Sequence, residues 1–405
     1  MKNVSKIISE SRLKIMSSNA HQASDLKQMQ SLPLEAKIRM TQQRIKVWYE
    51  SWVRFEIHDK ATGKTRFVTY DIRKGEPPLK DNEYIESAYD GQVYVSFSGG
   101  KDSTVLKHIV DSMYDDVPSL FVNTGLEYPE IQKFAMSQKN VVTVRPEMRF
   151  DEVIKKYGYP IGSKEIADKI EFGRKALSRG DTAQFEWYVE GKRTKPYTGE
   201  QYIFMPLSER FKPLFEASEV PVSQQCCSVM KKKPLKQYAK QTGRKPIIGT
   251  MAAESRLRYQ KWMKEGCNAF EGKNPTSKPL SFWTEQDILH YIKKYDVPYC
   301  SVYGDIQVKA ESDVEGQMNL IDYLECYETE DLLETTGCNR TGCIFCMFGC
   351  HLEKEPNRFQ KLKETHPRQY KYCIGGGEMV DGKWQPSKEG LGLGKVLDYI
   401  GVKYD

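Results

Sequence analysis

Short apolar runs begin near residue 91 and alternate with amphipathic stretches, and this rhythm organises the middle of the chain. VYVSF (Val93–Phe97) is predicted as a buried strand, followed after a glycine turn by a helix over Thr104–Met113. SLFVNT (Ser119–Thr124) and VVTVRP (Val141–Pro146) are further strands, with a helix over Pro129–Gln138 between them, and PIIGT (Pro246–Thr250) is a later strand. Strands alternating with helices predict an α/β fold, a doubly wound and mostly parallel sheet with helices on both faces. Ligands of such folds sit at the carboxyl ends of the strands.

The flanking regions read differently. A helix is expected over Leu34–Tyr49. Two alternating runs, Trp52–His58 and Thr65–Ile72, enclose the turn DKATGK and predict a β-hairpin. Residues 1–88 are thus expected as an N-terminal accessory region, 89–300 as the α/β domain, and 301–405 as a cysteine-rich C-terminal region. Within the second, residues 159–223 break the rhythm and read as an insertion that covers the site. Trp283–Tyr299 has helical apolar spacing up to Pro298.

With 39% hydrophobic and 29% charged residues the chain supports a core and a polar surface. No run approaches the roughly 18 apolar residues of a membrane span, and the opening MKNVSKIISESRLK lacks the apolar segment of a signal peptide. A cytoplasmic protein with no membrane partner is expected. Net charge is +6, but Ser228–Lys264 holds eleven Lys/Arg against the single acid Glu254. That stretch suits an anionic partner, whether nucleotide, sulfate ester or nucleic acid; a solvated basic face is the plainer alternative.

Ten cysteines are unevenly placed. Cys226 and Cys227 are adjacent, and Cys338, Cys343, Cys346 and Cys350 fall within thirteen residues. Clustered thiols without a secretory signal read as metal ligands or redox groups before disulfides. The first three of the later group have the C-x4-C-x2-C spacing of plant-type ferredoxins, while tetrahedral zinc uses similar spacings. Cys267, Cys300, Cys326 and Cys373 are scattered, and buried thiols are the default for them.

The sharpest local signal is SFSGGKDS, from Ser96 to Ser103, between a strand and a helix. Gly99 and Gly100 allow a tight turn and a close approach to an anion. Amides of the turn and the helix start then face phosphate or sulfate oxygens. Lys101 adds a point charge, Ser98 and Ser103 add hydroxyls, and Asp102 orients the loop or holds Mg²⁺. The Walker pattern is absent.

These residues resemble the SGGxDS motif of the PP-loop ATP pyrophosphatase superfamily. Later stations, in order, resemble the phosphoadenosine- and adenosine-phosphosulfate reductase family over roughly residues 90–350. NTGLEYPE (Asn123–Glu130) is similar to its second-strand motif, which implies that Thr124, Gly125 and Glu127 border the adenosine. CCSVMKKKPL (Cys226–Leu235) looks like its tandem-cysteine segment. GTMAAESRLR (Gly249–Arg258) is similar to its substrate loop, with Arg256 and Arg258 meeting phosphates or a sulfonyl group, and TGCIFC (Thr341–Cys346) matches its later CxxC.

The resemblance implies an enzyme with a 4Fe–4S cluster on Cys226, Cys227, Cys343 and Cys346, holding Cys338 and Cys350 in reserve. ATP or an adenylyl sulfate is the implied substrate, and a sulfur or electron donor protein the implied partner. Two reactions are compatible. In ATP pyrophosphatase chemistry an acceptor such as nucleic acid is adenylated and then receives sulfur, which the complete SGGKDS favours. In sulfonucleotide reduction a mobile thiol attacks the sulfonyl group and sulfite leaves. The family's Glu-Cys-Gly-Leu-His string is missing, so Cys373 is the replacement nucleophile that reading requires. A nucleotide- or redox-sensing module without turnover is the non-enzymatic alternative.

Overall fold

A computed structural model describes residues 21–309 and 331–405. Cys326 lies outside the described residues. The chain divides into two compact units that interleave in sequence. The first takes Met1–Val122, Tyr128–Val144 and Leu235–Thr341; the second takes Asn123–Glu127, Arg145–Pro234 and Gly342–Asp405.

In the first unit a short helix, Ala23–Gln30, precedes helix α1 (Leu34–Ser51), which buries Ile45 and Trp48 completely. An antiparallel sheet follows, built of β1 (Trp52–Asp59), β2 (Thr65–Asp71) and β3 (Glu83–Tyr89) in the order β2-β1-β3. The expected hairpin is present, and β3 adds a third strand that its mixed polar sequence conceals. Along β1 the period of two turns Val53, Phe55 and Ile57 inward, where they pack with Ile72 and Ala88.

The central sheet contains β4 (Val93–Phe97), β5 (Ser119–Val122), β6 (Val141–Val144), β7 (Lys245–Ile248) and the short β8 (Asn268–Ala269) and β9 (Thr276–Ser277). Its order is β8-β9-β7-β4-β5-β6. All neighbours run parallel except β8 and β9. β4 reads as an unbroken apolar run because a strand inside a parallel sheet is covered on both faces. Helix α2 (Lys101–Asp111) lays Val105, Leu106, Ile109 and Val110, all fully buried, into the same core. Helix α3 (Pro129–Ser137) connects β5 to β6.

Helix α4 (Arg256–Glu265) follows β7, and α5 (Glu285–Tyr295) replaces the longer helix expected there. Thr284 caps α5 by accepting from Asp287 N, and Asp287 accepts in return from Thr284 N at 2.6 Å. The same buried carboxylate receives Lys37 Nζ from α1 at 2.8 Å on both oxygens. Removing one member of such a buried pair typically costs about 3–5 kcal/mol, since the other charge is left uncompensated. This pair therefore fixes α1 against α5.

In the second unit, the helix Lys164–Arg179 starts on the Ser163 hydroxyl and stops at Gly180, whose φ of +68° ends it in the left-handed region. Arg174 on this helix is turned onto the carbonyls of Leu214, Phe215, Ala217 and Val220. Burial pulls its guanidinium down to about 10. Met347–Phe348 pairs in parallel with Ile161–Gly162, and this brings the late cysteine segment beside the start of the 159–223 stretch. Among the described residues, no helix is long and apolar enough to cross a membrane.

Candidate functional site

Strand β4 runs into the glycine loop, and the loop into α2. Gly99 has φ of +75°, and a Cβ there would meet Ile131 Cγ2 at 3.0 Å and the Ile131 carbonyl at 3.1 Å. Glycine is required at this position on both counts. The loop is cross-tied by its serines: Ser103 Oγ donates to Gly100 O at 2.9 Å, Ser98 N donates to Ser103 Oγ at 3.2 Å, and the two hydroxyls are 3.0 Å apart. Ser96 is half-buried in β4, paired with Ile248. Just beyond, Gly249 approaches the start of α2 so closely that a Cβ would lie 3.1 Å from the Asp102 carbonyl.

Several groups that the sequence did not single out complete this site. Lys101 N donates to Tyr303 Oη at 3.2 Å, and Tyr303 Oη is 2.6 Å from Thr341 Oγ1. The Lys101 ammonium donates to the Asn339 carbonyl at 2.5 Å and pairs with Glu285 at 2.8 Å. Arg258 and Arg340 both pair with Glu254, whose carboxylate also accepts from Met251 N at 2.9 Å. Asp102 sits among these charges. Burial raises its carboxyl above the ordinary range and Glu285 adds to this, against Lys101, Arg340 and Arg258. Its Oδ1 is buried without a hydrogen-bond partner. Of the two arginines read from the sequence, Arg258 belongs to this network, while Arg256 is exposed at the first turn of α4. Tyr303 and Arg340 carry no motif of their own, so only the fold reveals them.

The second unit collects Cys226, Cys227, Cys343 and Cys346. The Cys226 thiol donates to Cys227, which pushes Cys226 up; burial adds to this, as do Cys343 and Cys346. Cys227 is held below the ordinary thiol range by that hydrogen bond, and then by Lys164, Lys231 and Lys232. Burial pushes Cys343 up to about 11 and raises Cys346. Burial works against the charge of Lys231, yet Cys343, Glu127 and Cys227 outweigh it and raise the ammonium overall. Glu127 in turn accepts from Thr124 N at 3.1 Å and Thr124 Oγ1 at 2.7 Å, in a turn where Gly125 has φ of +74°. The Ile344 N–H donates to Leu126 O at 2.8 Å, tying this turn to the CxxC. Lys231, read as part of a basic surface, thus faces thiols rather than solvent.

The remaining cysteines separate. Cys350 is buried, donates to Met347 O at 3.1 Å, and is pushed up to about 12 by burial. Cys338 belongs to the first unit, where its N–H donates to Val302 O at 3.0 Å. Cys373 has 0% exposure within the helix Pro367–Ile374, and burial raises its thiol well above the ordinary range.

The family model described as the phosphoadenosine phosphosulfate reductase domain matches residues 92–195 and 205–347, more than half of the chain. The chain belongs to that family. The unmatched residues 196–204 lie at the hairpin between Lys192–Thr194 and Gln201–Ile203. A curated relative, an uncharacterized protein of Methanocaldococcus jannaschii, is 35% identical over 72 residues, 17% of this chain and 18% of its own length. A phosphoadenylyl-sulfate reductase from Candida auris, solved as a phosphate complex, is similar at 15% identity with a TM-score of 0.28, over 52% of this chain and 75% of that one. The matched region of this reductase-family chain contains both the glycine loop and the four thiols, and it leaves the accessory sheet and Cys373 outside.

Proposed function

We propose that the protein binds an adenine nucleotide with its phosphates on the Ser98–Ser103 loop and acts in sulfur transfer by ATP pyrophosphatase chemistry. An acceptor oxygen attacks the α-phosphorus of ATP and pyrophosphate leaves; a sulfur donor then displaces AMP from the adenylated acceptor. The observation that carries this reading is the convergence of Lys101, Arg258 and Arg340 around Asp102 at the loop. Three cations beside a helix start, paired with Glu285 and Glu254 and able to exchange those partners for phosphate oxygens, suit a polyphosphate tail. The unpartnered Asp102 Oδ1 fits a Mg²⁺ ligand, because a hard cation takes carboxylate oxygen and commonly accompanies transferred phosphates.

The four thiols of the second unit fit a 4Fe–4S cluster, which such sets commonly hold. Cys226, Cys227, Cys343 and Cys346 would hold it, with Cys350 in reserve, and Lys231 would offset its negative charge. Bound there, the cluster supplies one-electron chemistry.

Sulfite release requires an accessible thiolate, and the fully buried Cys373 does not provide one. That favours adenylation over reduction. Arg256, Lys261 and Lys264 are exposed on α4 and suit a polyanionic acceptor such as nucleic acid. The test is an anaerobic assay on cluster-loaded protein with Mg²⁺. ATP with nucleic acid should yield pyrophosphate, and Lys101→Ala should abolish it. Sulfite from either sulfonucleotide would assign the reductase instead, and nucleotide binding with neither product would leave a sensor.

A further inference from the structure

Outside the family domain, the accessory sheet carries a cluster that the nucleotide chemistry does not use. Along β1 the period of two places Glu56 and His58 on the face opposite Phe55 and Ile57. Regular pairing would not add a third ligand. The register runs Glu56↔Ser87 and then Ile57↔Ile85, so Glu86 is the extra residue of a β-bulge. Bulges re-aim side chains, and this one delivers the Glu86 carboxylate to His58. One ligand atom from each of Glu56, His58 and Glu86 lies within 4.8 Å of the others.

The arrangement around these atoms is ordered. His58 Nδ1 is 3.0 Å from the hydroxyl of Thr65, its cross-strand partner on β2. The other ring nitrogen, Nε2, is 3.5 Å from Glu56 Oε1 and in contact with Glu86 Oε2. Nε2 is buried and makes no well-aligned hydrogen bond to either carboxylate, although Ser87, and after it His58, holds Glu56 below its usual range. A simple imidazolium ion pair would aim its N–H at one oxygen. Glu56 Oε2 is engaged by the Ser87 hydroxyl at 2.7 Å and Tyr89 Oη at 3.5 Å, which leaves Oε1 for the cluster. Ligating histidines and carboxylates are typically held in this way, each by a hydrogen bond on its far side.

We propose that Glu56, His58 and Glu86 bind a divalent transition-metal ion of the zinc class. The ligands are His58 Nε2 and one oxygen of each glutamate, and the remaining coordination is open to water. One imidazole with two carboxylates suits zinc and its neighbours, whereas Mg²⁺ and Ca²⁺ favour all-oxygen sets. The ion braces β1 to β3 at the bulge, where the ladder is interrupted. This proposal requires neither nucleotide nor cluster.

The experiment titrates Zn²⁺ calorimetrically into the full chain and repeats it on His58→Ala, Glu86→Gln and Thr65→Val, with circular dichroism confirming the fold of each. Wild type should bind one more equivalent than His58→Ala. Glu86→Gln, nearly isosteric and at a half-exposed site, should weaken that equivalent about tenfold or more, and Thr65→Val about tenfold through the ring orientation. Because the thiols also take Zn²⁺, Co²⁺ is read as the difference between wild type and His58→Ala. Weak ligand-field bands without sulfur charge transfer support the site. Equal Zn²⁺ stoichiometry and affinity in wild type and Glu86→Gln, or a difference spectrum dominated by sulfur, would overturn it.

Discussion

The glycine loop of the first unit and the thiol set of the second are built on opposite plans. The loop is contiguous: Ser98–Gly100 after one strand and the first turn of one helix, Lys101–Ser103, carry the turn, the hydroxyls and the charge, and later segments supply its surroundings. The thiol set is assembled from three distant pieces, Asn123–Glu127, Cys226–Lys232 and Gly342–Cys346, none of which makes a site alone. A contiguous site should fail through backbone geometry, and an assembled site through the loss of any one contributor.

The largest expected effect is on the assembled site. Cys343→Ser should remove the proposed cluster outright, read as loss of iron and of visible absorption, since a hydroxyl replaces one of four thiolates. Nucleotide affinity at the loop should stay within about twofold, because the groups that act on Cys343 are Lys231, Cys346 and Glu127, not Lys101, Arg258 or Arg340. An equal loss of both would show that the two sites are one. Next comes Gly99→Val. It forces a β-branched residue to φ of +75° with contacts of 3.0 and 3.1 Å to Ile131. Strain of about 1–3 kcal/mol and displacement of the loop should weaken ATP binding about a hundredfold by calorimetry, while iron content is unchanged.

The contrast also explains what the sequence made legible. SGGKDS could be read because every residue it needs is local, and the parallel strands could be read because burial on both faces leaves an apolar run. The four thiols were visible as a composition. Their electrostatic partners were not, since nothing local distinguishes Lys231, facing Cys343, from Lys233, paired with Glu147, on the same basic stretch. Tyr303 reaches the loop from 202 residues away in sequence, and Arg340 reaches Glu254 from 86, so their roles depend on tertiary placement. β3 was missed for a related reason: the bulge at Glu86 breaks the alternation that marks a strand.

The smallest expected change in stability bears on why the loop carries an acid at all. Asp102 is surrounded by cations, yet burial dominates and its carboxyl is raised above the unfolded value of 3.8. Between the unfolded and folded values the native state binds more protons than the unfolded chain, so stability falls as pH rises through that window. Above it the whole penalty persists. Asp102→Asn removes a buried, incompletely bonded carboxylate and should therefore stabilise the protein at neutral pH, by about 1 kcal/mol in urea unfolding. The gain should shrink as pH falls below the folded value, where the wild-type group is already neutral. Mg²⁺-dependent pyrophosphate release should meanwhile drop about a hundredfold, as loss of a charged ligand to the metal implies. A variant that is less stable at neutral pH would mean that Asp102 is held as a carboxylate by its arginines, and that the loop needs the charge for its own folding rather than for a metal.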